Sequence, residues 1–311
     1  MAREEIYQQI GETVKRGYAW TIKEPKANVI IVTGMAETAI RYDNFANFLN
    51  EHGYDVYCLD HYGQGLTAGN TENLGIVPKS FFSRSVKDID DLVVRLRASL
   101  KPTFIFAHSM GSFMLQDYIQ RFTDHVNKVV ICGTNGPNAK MLFSVGYLTC
   151  KLLAPKRSYL QQGDLLNKII FGGYNNKFKP ARTEFDWLSV NTENVDAYIE
   201  DPYCGFTPTK GFYREFIKGN ARLFKRKFLK KIRKDMSVLL IAGKDDPVGA
   251  FGKGPEALSK LYTRLGLTDV QLKIYDGLRH EILNEKEKDK VYNDILAFLD
   301  APKEPAEALL K

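Results

Sequence analysis

The stretch that decides the fold is Phe104-Ile105-Phe106-Ala107-His108-Ser109-Met110-Gly111-Ser112. An apolar run ends in a serine flanked by small residues, and a helical pattern follows directly. This order predicts a strand, a sharp turn and a helix, with Ser109 at the apex of the turn. Such a turn strains the backbone of the apical residue and lifts its hydroxyl out of the sheet edge. The alternative interpretation is a serine that caps a structural helix.

The motif around the serine differs slightly from the common G-x-S-x-G pattern. The residues two before and two after the serine must be small, because the strand and the helix nearly collide there. They are Ala107 and Gly111, so the pattern reads A-x-S-x-G. Five residues alone do not identify a catalytic serine, which also needs a base, an acid and oxyanion donors.

Around this turn, strand-like apolar runs alternate with segments of helical periodicity. The alternation predicts an α/β protein with a mostly parallel central sheet and helices on both faces. An amphipathic helix is predicted at 86–100, where apolar residues repeat at spacings of three and four. Besides the run before the serine, the predicted strands are 18–22, 29–32, 54–59, 129–132, 238–241 and 270–274.

The alternation stops between residues 136 and 220 and then resumes. We therefore predict a first core segment at 1–135, an inserted and mainly helical lid at 136–220, and a second core segment at 221–311. Both core segments together form the α/β unit.

One helix of the predicted lid is apolar on nearly every side, so it must bury one of its faces. Between Lys140 and Lys156 its only charge is Lys151. We expect its inner face to bind an apolar ligand, and the alternative is a helix buried in the core. The residues predicted to bind substrate repeat at helical spacing: Met141, Val145, Leu148 and Leu152.

The composition is typical of a soluble globular protein, with 44% hydrophobic and 26% charged residues among 311. The first residues hold no apolar stretch of signal-peptide length, and no window approaches the roughly 18 apolar residues of a membrane span. The four cysteines lack paired or metal-binding spacing, so we expect a reducing, cytoplasmic setting and no metal. We expect no cofactor and no nucleic-acid partner.

The net charge of +7 is partly local, because ten of the 21 residues from 214 to 234 are lysine or arginine. Apolar residues are interleaved with them. The simpler interpretation is a helix with a basic, solvated face. The alternative is weak docking on anionic lipid surfaces, where each basic residue adds about 1 kcal/mol.

Two further polar residues follow late predicted strands, namely Asp246 after 238–241 and His280 after 270–274. In open α/β sheets, sites form outside the carboxyl ends of the strands, so both are expected beside Ser109. A histidine takes the proton of an attacking serine, and a carboxylate orients that histidine. The chain order Ser, Asp, His is the order found in α/β-hydrolases.

The histidine is chosen by position, because only His280 follows a late strand in a loop. We interpret His52 and His125 as surface residues and His61 as a brace of its own loop. His108 is next to the serine, so we expect its side chain to be directed elsewhere.

The choice of acid rests on a proline. Asp246 precedes Pro247, and a residue before proline is pushed into an extended conformation that places it at the loop tip. We therefore prefer Asp246 to its neighbour Asp245, and Asp276 is a weaker candidate.

The oxyanion hole requires two backbone N–H donors. We expect one from Met110, directly after the nucleophile, and the other from Met35, in a turn that Gly34 permits. Glu37 and Arg41 are four residues apart, so they either pair and stiffen this turn or make a solvated surface contact.

Several segments resemble the monoglyceride lipases and bacterial lysophospholipases, a branch of the serine aminopeptidase-like hydrolases in the α/β-hydrolase superfamily. The oxyanion segment, which is similar to the family pattern H-G-x-x-E followed by R-Y, is Thr33-Gly34-Met35-Ala36-Glu37 with Arg41-Tyr42. Asp60-His61-Tyr62-Gly63-Gln64-Gly65 is similar to the pattern D-H-R-G-H-G. The lid and acid-loop segments are Phe185-Asp186-Trp187-Leu188-Ser189, Asp201-Pro202-Tyr203-Cys204-Gly205-Phe206 and Asp246-Pro247-Val248-Gly249.

The resemblance implies an α/β-hydrolase fold and a serine hydrolase that cleaves esters of monoacyl lipids through an acyl-enzyme, without metal or cofactor. The sequence departs from the family pattern at Thr33, Tyr62, Gln64 and Ala107. These positions brace loops, so the departures bear on substrate preference more than on chemistry.

Three alternatives stay open at this point. An aminopeptidase or amidase would use an acidic lid residue to hold a substrate amine, and Glu184, Glu193 and Glu200 are candidates. A small-ester carboxylesterase would use the same triad. A non-catalytic binding protein is expected to have lost a triad member, and none is lost here.

Overall fold

The computed structural model describes residues 3–10 and 13–302, which form one eight-stranded sheet with helices on both faces. The strands are β1 (Arg3–Ile10), β2 (Thr13–Trp20), β3 (Ala27–Val32), β4 (Tyr54–Leu59), β5 (Thr103–His108), β6 (Lys128–Cys132), β7 (Ser237–Gly243) and β8 (Asp269–Tyr275). The α-helices are α1 (Asp43–Glu51), α2 (Gly65–Ala68), α3 (Phe81–Leu96), α4 (Met110–Arg121), α5 (Lys140–Leu153), α6 (Asp164–Phe171), α7 (Thr192–Glu200), α8 (Lys210–Asn220), α9 (Arg226–Leu229), α10 (Lys253–Arg264) and α11 (Lys288–Asp300).

The strand order in the sheet is β1-β2-β4-β3-β5-β6-β7-β8. The strands β4, β3, β5, β6, β7 and β8 are parallel, and β1 and β2 form an antiparallel edge. The predicted α/β fold with a mostly parallel sheet is therefore confirmed.

Two apolar clusters lie on opposite faces of the sheet, because successive strand residues point to opposite sides. In β3, for example, Ile30 and Val32 join the cluster covered by α3, α4, α8 and α10, whereas Val29 and Ile31 join the cluster covered by α1 and α11. Every residue of β3, β5, β6 and β7 is buried. Burial on both faces explains why these strands are continuous apolar runs without alternation.

The antiparallel edge is the part of the sheet that the sequence pattern predicted least well. The predicted strand at 18–22 is β2, which runs from Thr13 to Trp20, and its partner β1 was not predicted. Most of β1 is exposed, so its side chains need no regular apolar alternation.

Between β6 and β7 the described chain forms the helices α5 to α9 and adds no strand to the sheet. The predicted lid, residues 136–220, holds α5 to α8, and α5 packs against α8. We call residues 136–220 the cap; the segment boundaries at 135/136 and 220/221 stay a prediction.

The parallel strands end on one edge of the sheet, where β3, β5, β7 and β8 are followed by the segments that carry the predicted site residues. Within the described residues, no helix is both long enough and apolar enough to cross a membrane.

Candidate active site

Ser109 lies at a strained turn between β5 and α4. Its backbone φ is 51° and its ψ is −118°, a conformation that non-glycine residues rarely adopt. The neighbouring helix comes very close to the sheet, because a side-chain carbon at Gly111 would lie 2.4 Å from the Val32 carbonyl oxygen. The strand, turn and helix predicted around this serine are therefore present, and a small residue is required at Gly111.

The structure brings the three predicted polar residues together. Nε2 of His280 lies 2.8 Å from Oγ of Ser109, and Nδ1 of His280 lies 3.0 Å from Oδ1 of Asp246. The His280 and Asp246 side chains are buried. A carboxylate facing Nδ1 favours the tautomer with hydrogen on Nδ1, which leaves Nε2 free to accept the serine proton.

Of the three aspartates considered as the acid, the structure places Asp246 beside His280. The carboxylate of Asp246 also accepts a hydrogen bond from the Val248 N–H at 2.8 Å, which orients it. Asp245 is half-buried and donates its backbone N–H to the Leu278 carbonyl, and Asp276 is exposed. Among the described residues, Asp246 is the carboxylate that lies within ion-pair distance of His280.

The predicted oxyanion donors lie on either side of the serine. A side-chain carbon at Gly34 would lie 3.1 Å from Cβ of Ser109, so the turn that carries Met35 abuts Ser109. Met35 and Met110 both line the cavity described below. Within the described chain, neither backbone N–H is hydrogen-bonded to another protein group, so both are available to a bound anion.

The loop at 60–65 is hydrogen-bonded to residues 33–37, the turn that carries Met35, which we call the oxyanion turn. The Gln64 side chain donates to the Gly34 carbonyl at 3.0 Å and accepts from the Ala36 N–H at 2.9 Å. His61 lies 3.2 Å from the Thr33 carbonyl through Nε2, so it contacts the turn after β3 rather than bracing its own loop as predicted. Burial lowers the pKa of His61 to about 3, so this imidazole is neutral and Nε2–H is the donor.

Neither alternative for Glu37 and Arg41 holds, because the two do not pair, Glu37 is buried and the Arg41 side chain is only 9% exposed. Glu37 instead accepts a hydrogen bond from the Tyr42 hydroxyl at 2.8 Å and lies 3.3 Å from Nδ1 of His108. Arg41 pairs with Glu281, at 2.6 Å. Helical spacing does not decide this contact, because the turn after β3 directs the two side chains to different partners.

Sequence reasoning did not place Glu37, His108 and Glu281 around Ser109, His280 and Asp246. The His108 ring is not directed away from the site, because its centroid lies 4.6 Å from that of His280. Glu281 anchors the loop of His280 by accepting hydrogen bonds from Arg41 and Asn194. The sequence did offer a signal for two of them, because His108 directly precedes Ser109 and Glu281 directly follows His280.

A cavity of about 1080 Å³ extends from Ser109 into the cap. This volume is at the upper end of the range for small-molecule sites. Its wall is mostly apolar and includes Phe143, Ile170, Phe171, Trp187, Phe206 and Phe216.

Of the four cap residues predicted to bind substrate, only Val145 lines the cavity. Met141, Leu148 and Leu152 lie on the outer face of α5, where they are 76%, 60% and 81% exposed. The prediction therefore has no support at these three positions. Because α5 is apolar on nearly every side, periodicity did not reveal which face turns inward. The inward stripe, spaced by three and four, is Phe143, Gly146 and Cys150.

One of the three acidic residues considered for amine binding lies at the cavity. Glu184 lines it, whereas Glu193 and Glu200 are exposed and outside its wall.

The basic segment at 214–234 packs its apolar residues into the molecule. Phe216, Leu223, Phe224, Leu229 and Ile232 are all buried. Most of the lysines between them are exposed. This arrangement favours the interpretation of a basic, solvated face.

Comparisons with known proteins fit this architecture. The family described as Serine aminopeptidase, S33 (Hydrolase_4) matches residues 23–287. The monoacylglycerol lipase of Mycolicibacterium smegmatis is 28% identical over 282 residues, which are 89% of this chain and 89% of that protein. The monoglyceride lipase of Saccharomyces cerevisiae is 23% identical over 95% of this chain and 93% of its own. A thermostable carboxyl esterase from Bacillus coagulans superposes with a TM-score of 0.86 at 28% identity, over 96% of this chain and 98% of that one.

Proposed function

Because the chain belongs to the serine aminopeptidase S33 (Hydrolase_4) family, we propose that it is a serine hydrolase that cleaves carboxylic esters of single-chain lipids. One observation carries the proposal. Ser109, His280 and Asp246 are aligned at separations of 2.8 and 3.0 Å, and the serine faces a large, mostly apolar cavity.

In the proposed reaction, Oγ of Ser109 attacks the ester carbonyl carbon while its proton moves to Nε2 of His280. The carbonyl oxygen becomes an oxyanion and accepts hydrogen bonds from the N–H groups of Met35 and Met110. Collapse of this intermediate expels the alcohol, which takes the proton from His280 and leaves an acyl-enzyme. Water, deprotonated by the same histidine, then releases the fatty acid, while Asp246 orients and stabilises the imidazole.

The charges at the cavity favour a neutral alcohol over a phosphate-bearing one. Among the described residues, Lys168 is the one lysine or arginine that lines the cavity, and it is exposed. Two exposed acidic side chains, Asp164 and Glu184, line it as well. A phosphate near them would be repelled unless it were paired. We therefore propose monoacylglycerols, rather than lysophospholipids, as the substrate class, in agreement with the names of the two lipase relatives.

Covalent labelling tests the mechanism directly. A fluorophosphonate should label Ser109, and Ser109→Ala should abolish labelling and reduce turnover by about 10⁶-fold, as loss of a triad nucleophile does. Equal labelling of the alanine variant would refute the assignment of the nucleophile.

A substrate panel tests the substrate class. Purified protein would be assayed on monoacylglycerols, lysophosphatidylcholine, short p-nitrophenyl esters and aminoacyl anilides. The proposal expects the highest kcat/KM on monoacylglycerols, and a preference for lysophosphatidylcholine would overturn the charge argument.

Two other activities have a specific observation behind them. An aminopeptidase is favoured by the family description and by Glu184 at the cavity, so cleavage of aminoacyl anilides that is lost in Glu184→Gln would support it. A small-ester carboxylesterase is favoured by the likeness to the Bacillus coagulans esterase, and fastest turnover of acetyl esters would support it.

The proposed partner beside the substrate is an anionic lipid surface, contacted through the cap rather than through 214–234. Met141, Leu148 and Leu152 are exposed on α5. Residues 140 to 160 include no acidic residue, and they carry three lysines and one arginine. Exposed apolar and basic residues together favour binding to anionic bilayers.

A further inference from the structure

His108 is buried between two hydrogen-bond acceptors. Its Nδ1 lies 3.3 Å from Oε1 of Glu37, and its Nε2 lies 3.3 Å from the backbone carbonyl oxygen of His280. A carbonyl oxygen can only accept a hydrogen bond, and an ionised carboxylate likewise. The two contacts are hydrogen bonds at the same time only if both ring nitrogens carry hydrogen, that is, if His108 is an imidazolium.

We propose that His108 is a positioning residue, an imidazolium that ties the oxyanion turn to the loop of the catalytic histidine. The proposal rests on the hydrolase function above, because it assigns His280 as the general base. His108 itself does not touch the reacting atoms in this assignment.

The connection to the oxyanion turn runs through Glu37. Its carboxylate accepts hydrogen bonds from the Gly34 N–H and from the Tyr42 hydroxyl, in addition to its contact with His108. Gly34 directly precedes Met35, the proposed oxyanion donor. One buried ion pair thus fixes the turn that supplies a donor and the backbone of the residue that supplies the base.

The ring of His108 also confines the catalytic imidazole. Its centroid lies 4.6 Å from that of His280, and the Trp187 ring of the cap lies 5.2 Å from His280. Gly133 leaves room for both histidines, because a side-chain carbon there would lie 3.0 Å from His280 and 3.2 Å from His108. Two rings thus limit the orientations that the general base can adopt.

The charges around His108 support its protonated form. Burial opposes ionisation, but Glu37, Glu281 and the His280 carbonyl raise the pKa of His108 above its ordinary value of 6.5. Burial raises the pKa of Glu37, but His108, Arg41 and the Gly34 N–H lower it to about 2 overall.

Two further titratable neighbours, Cys132 and Arg41, do not compete for these charges. Cys132 on β6 is a neutral thiol, because burial raises its pKa. Arg41 is neutralised by Glu281. Loss of the His108 proton at alkaline pH would therefore remove one of its two hydrogen bonds and leave Glu37 without its cation. We therefore expect kcat to fall at alkaline pH as His108 loses its proton.

Two isosteric variants separate the two ends of His108. The amide nitrogen of His108→Asn replaces Nδ1 and preserves the contact with Glu37, whereas that of His108→Gln replaces Nε2 and preserves the contact with the His280 carbonyl. Neither variant carries a charge. His52→Gln makes the same chemical change on an exposed histidine and serves as the matched control.

The experiment measures kcat and KM for p-nitrophenyl hexanoate from pH 6 to pH 10, normalised to the fraction labelled by a fluorophosphonate. We expect kcat to fall by about 100-fold in His108→Asn, the effect of a small misplacement of a catalytic group. His108→Gln should retain more activity, and KM should change little in either variant. The alkaline loss of kcat in the wild type should be absent from both variants and present in His52→Gln.

The possible outcomes separate this inference from the proposed function. A wild type that neither labels nor turns over ester refutes the function itself. If the wild type is active but its His108 variants keep the full kcat, or still lose kcat at alkaline pH, the role of His108 is refuted and the proposed function is not.

A measurement that needs no activity covers variants that fail to fold. In wild-type protein with isotope-labelled histidines, the His108 ring resonances, assigned through correlations to the backbone resonances of the same residue, should report an imidazolium at pH 7. A neutral ring at that pH would overturn the inference.

Discussion

Asp246 accepts a hydrogen bond from the Val248 N–H while it faces His280, whereas its neighbour Asp245 is not within ion-pair distance of His280. The same substitution can therefore be made at Asp246 and at Asp245, and its effects on kcat can be compared directly. We expect the two effects to differ because the Asp246 carboxylate faces His280.

Asp246→Asn should lower kcat by about 10⁴-fold, because an amide presents the wrong hydrogen-bonding group to the histidine. Asp245→Asn should have a far smaller effect on the same ester assay. Reversed effects would show that the acid had been assigned to the wrong residue.

The Glu37 carboxylate makes stability depend on pH in a predictable direction. Its pKa in the folded protein is about 2, below the ordinary value of 4.5, so the ionised form stabilises the fold. This contribution is complete above pH 4.5 and is lost as the pH falls toward 2.

Glu37→Gln should reduce the free energy of unfolding by about 3–5 kcal/mol at pH 7, the cost of removing one partner of a buried ion pair. The difference from wild type should shrink between pH 4.5 and pH 3, as measured by urea unfolding. Glu5→Gln, which breaks the exposed pair with Arg16, should cost about 0–1 kcal/mol. A Glu37→Gln difference that stays constant with pH would contradict the ionised state of Glu37.

At the scale of elements, α5 has two apolar faces with different roles. Phe143 lines the cavity and lies 5.5 Å from the Phe113 ring, whereas Leu148 is exposed on the opposite side. Substitutions on the two faces therefore separate substrate binding from surface contacts.

In the wild type, kcat/KM should rise from acetyl through medium-chain esters, because each buried methylene gains about 0.8 kcal/mol. Phe143→Asp should flatten this rise by placing a charge in the cavity wall. Leu148→Asp should keep it for dissolved esters, since Leu148 lies outside the cavity. A wild-type profile that falls steadily from acetyl onward would favour a small-ester substrate.

Leu148→Asp should instead weaken binding to lipid vesicles. Sedimentation with vesicles of phosphatidylcholine and 30% phosphatidylglycerol should recover the wild type at low salt and less of it at high salt, because basic residues contribute. Neutral phosphatidylcholine vesicles and a variant with Lys227, Lys230 and Lys231 changed to Gln serve as controls. Equal binding of Leu148→Asp and wild type, or loss of binding in the lysine variant, would contradict a contact through α5.

At the scale of the whole molecule, the cap is fastened to the loop that carries the proposed base. The Glu285 carboxylate accepts hydrogen bonds from the Ser189 hydroxyl at 2.6 Å and from the Asn191 N–H at 3.1 Å. Arg279 donates to the Ser189 carbonyl at 3.1 Å. Because these contacts flank His280, this part of the cap and the histidine loop form one hydrogen-bonded unit. The geometry of the general base therefore depends on the cap as well as on the sheet.

The sequence alone determined the parallel part of the sheet and the edge at which the site forms. Continuous apolar runs predict parallel strands buried on both faces, and the polar residues after them lie at one edge whatever the details of packing. Ser109, Asp246 and His280 were found in this way. The predicted resemblance was also correct, because it rests on short local motifs.

The tertiary structure alone decided the contacts between segments far apart in the chain. Periodicity showed that α5 is apolar, but only its packing revealed that Phe143 faces the cavity and Leu148 faces solvent. Likewise, helical spacing suggested an ion pair between Glu37 and Arg41, whereas in the folded protein Glu37 contacts His108. The physical reason is that hydrophobic burial is not directional, so a pattern predicts that a residue is buried but not against which partner. The partner of a buried charge depends on the whole fold. A buried charge is costly unless it is paired, and the residue that pairs with it can come from any part of the chain.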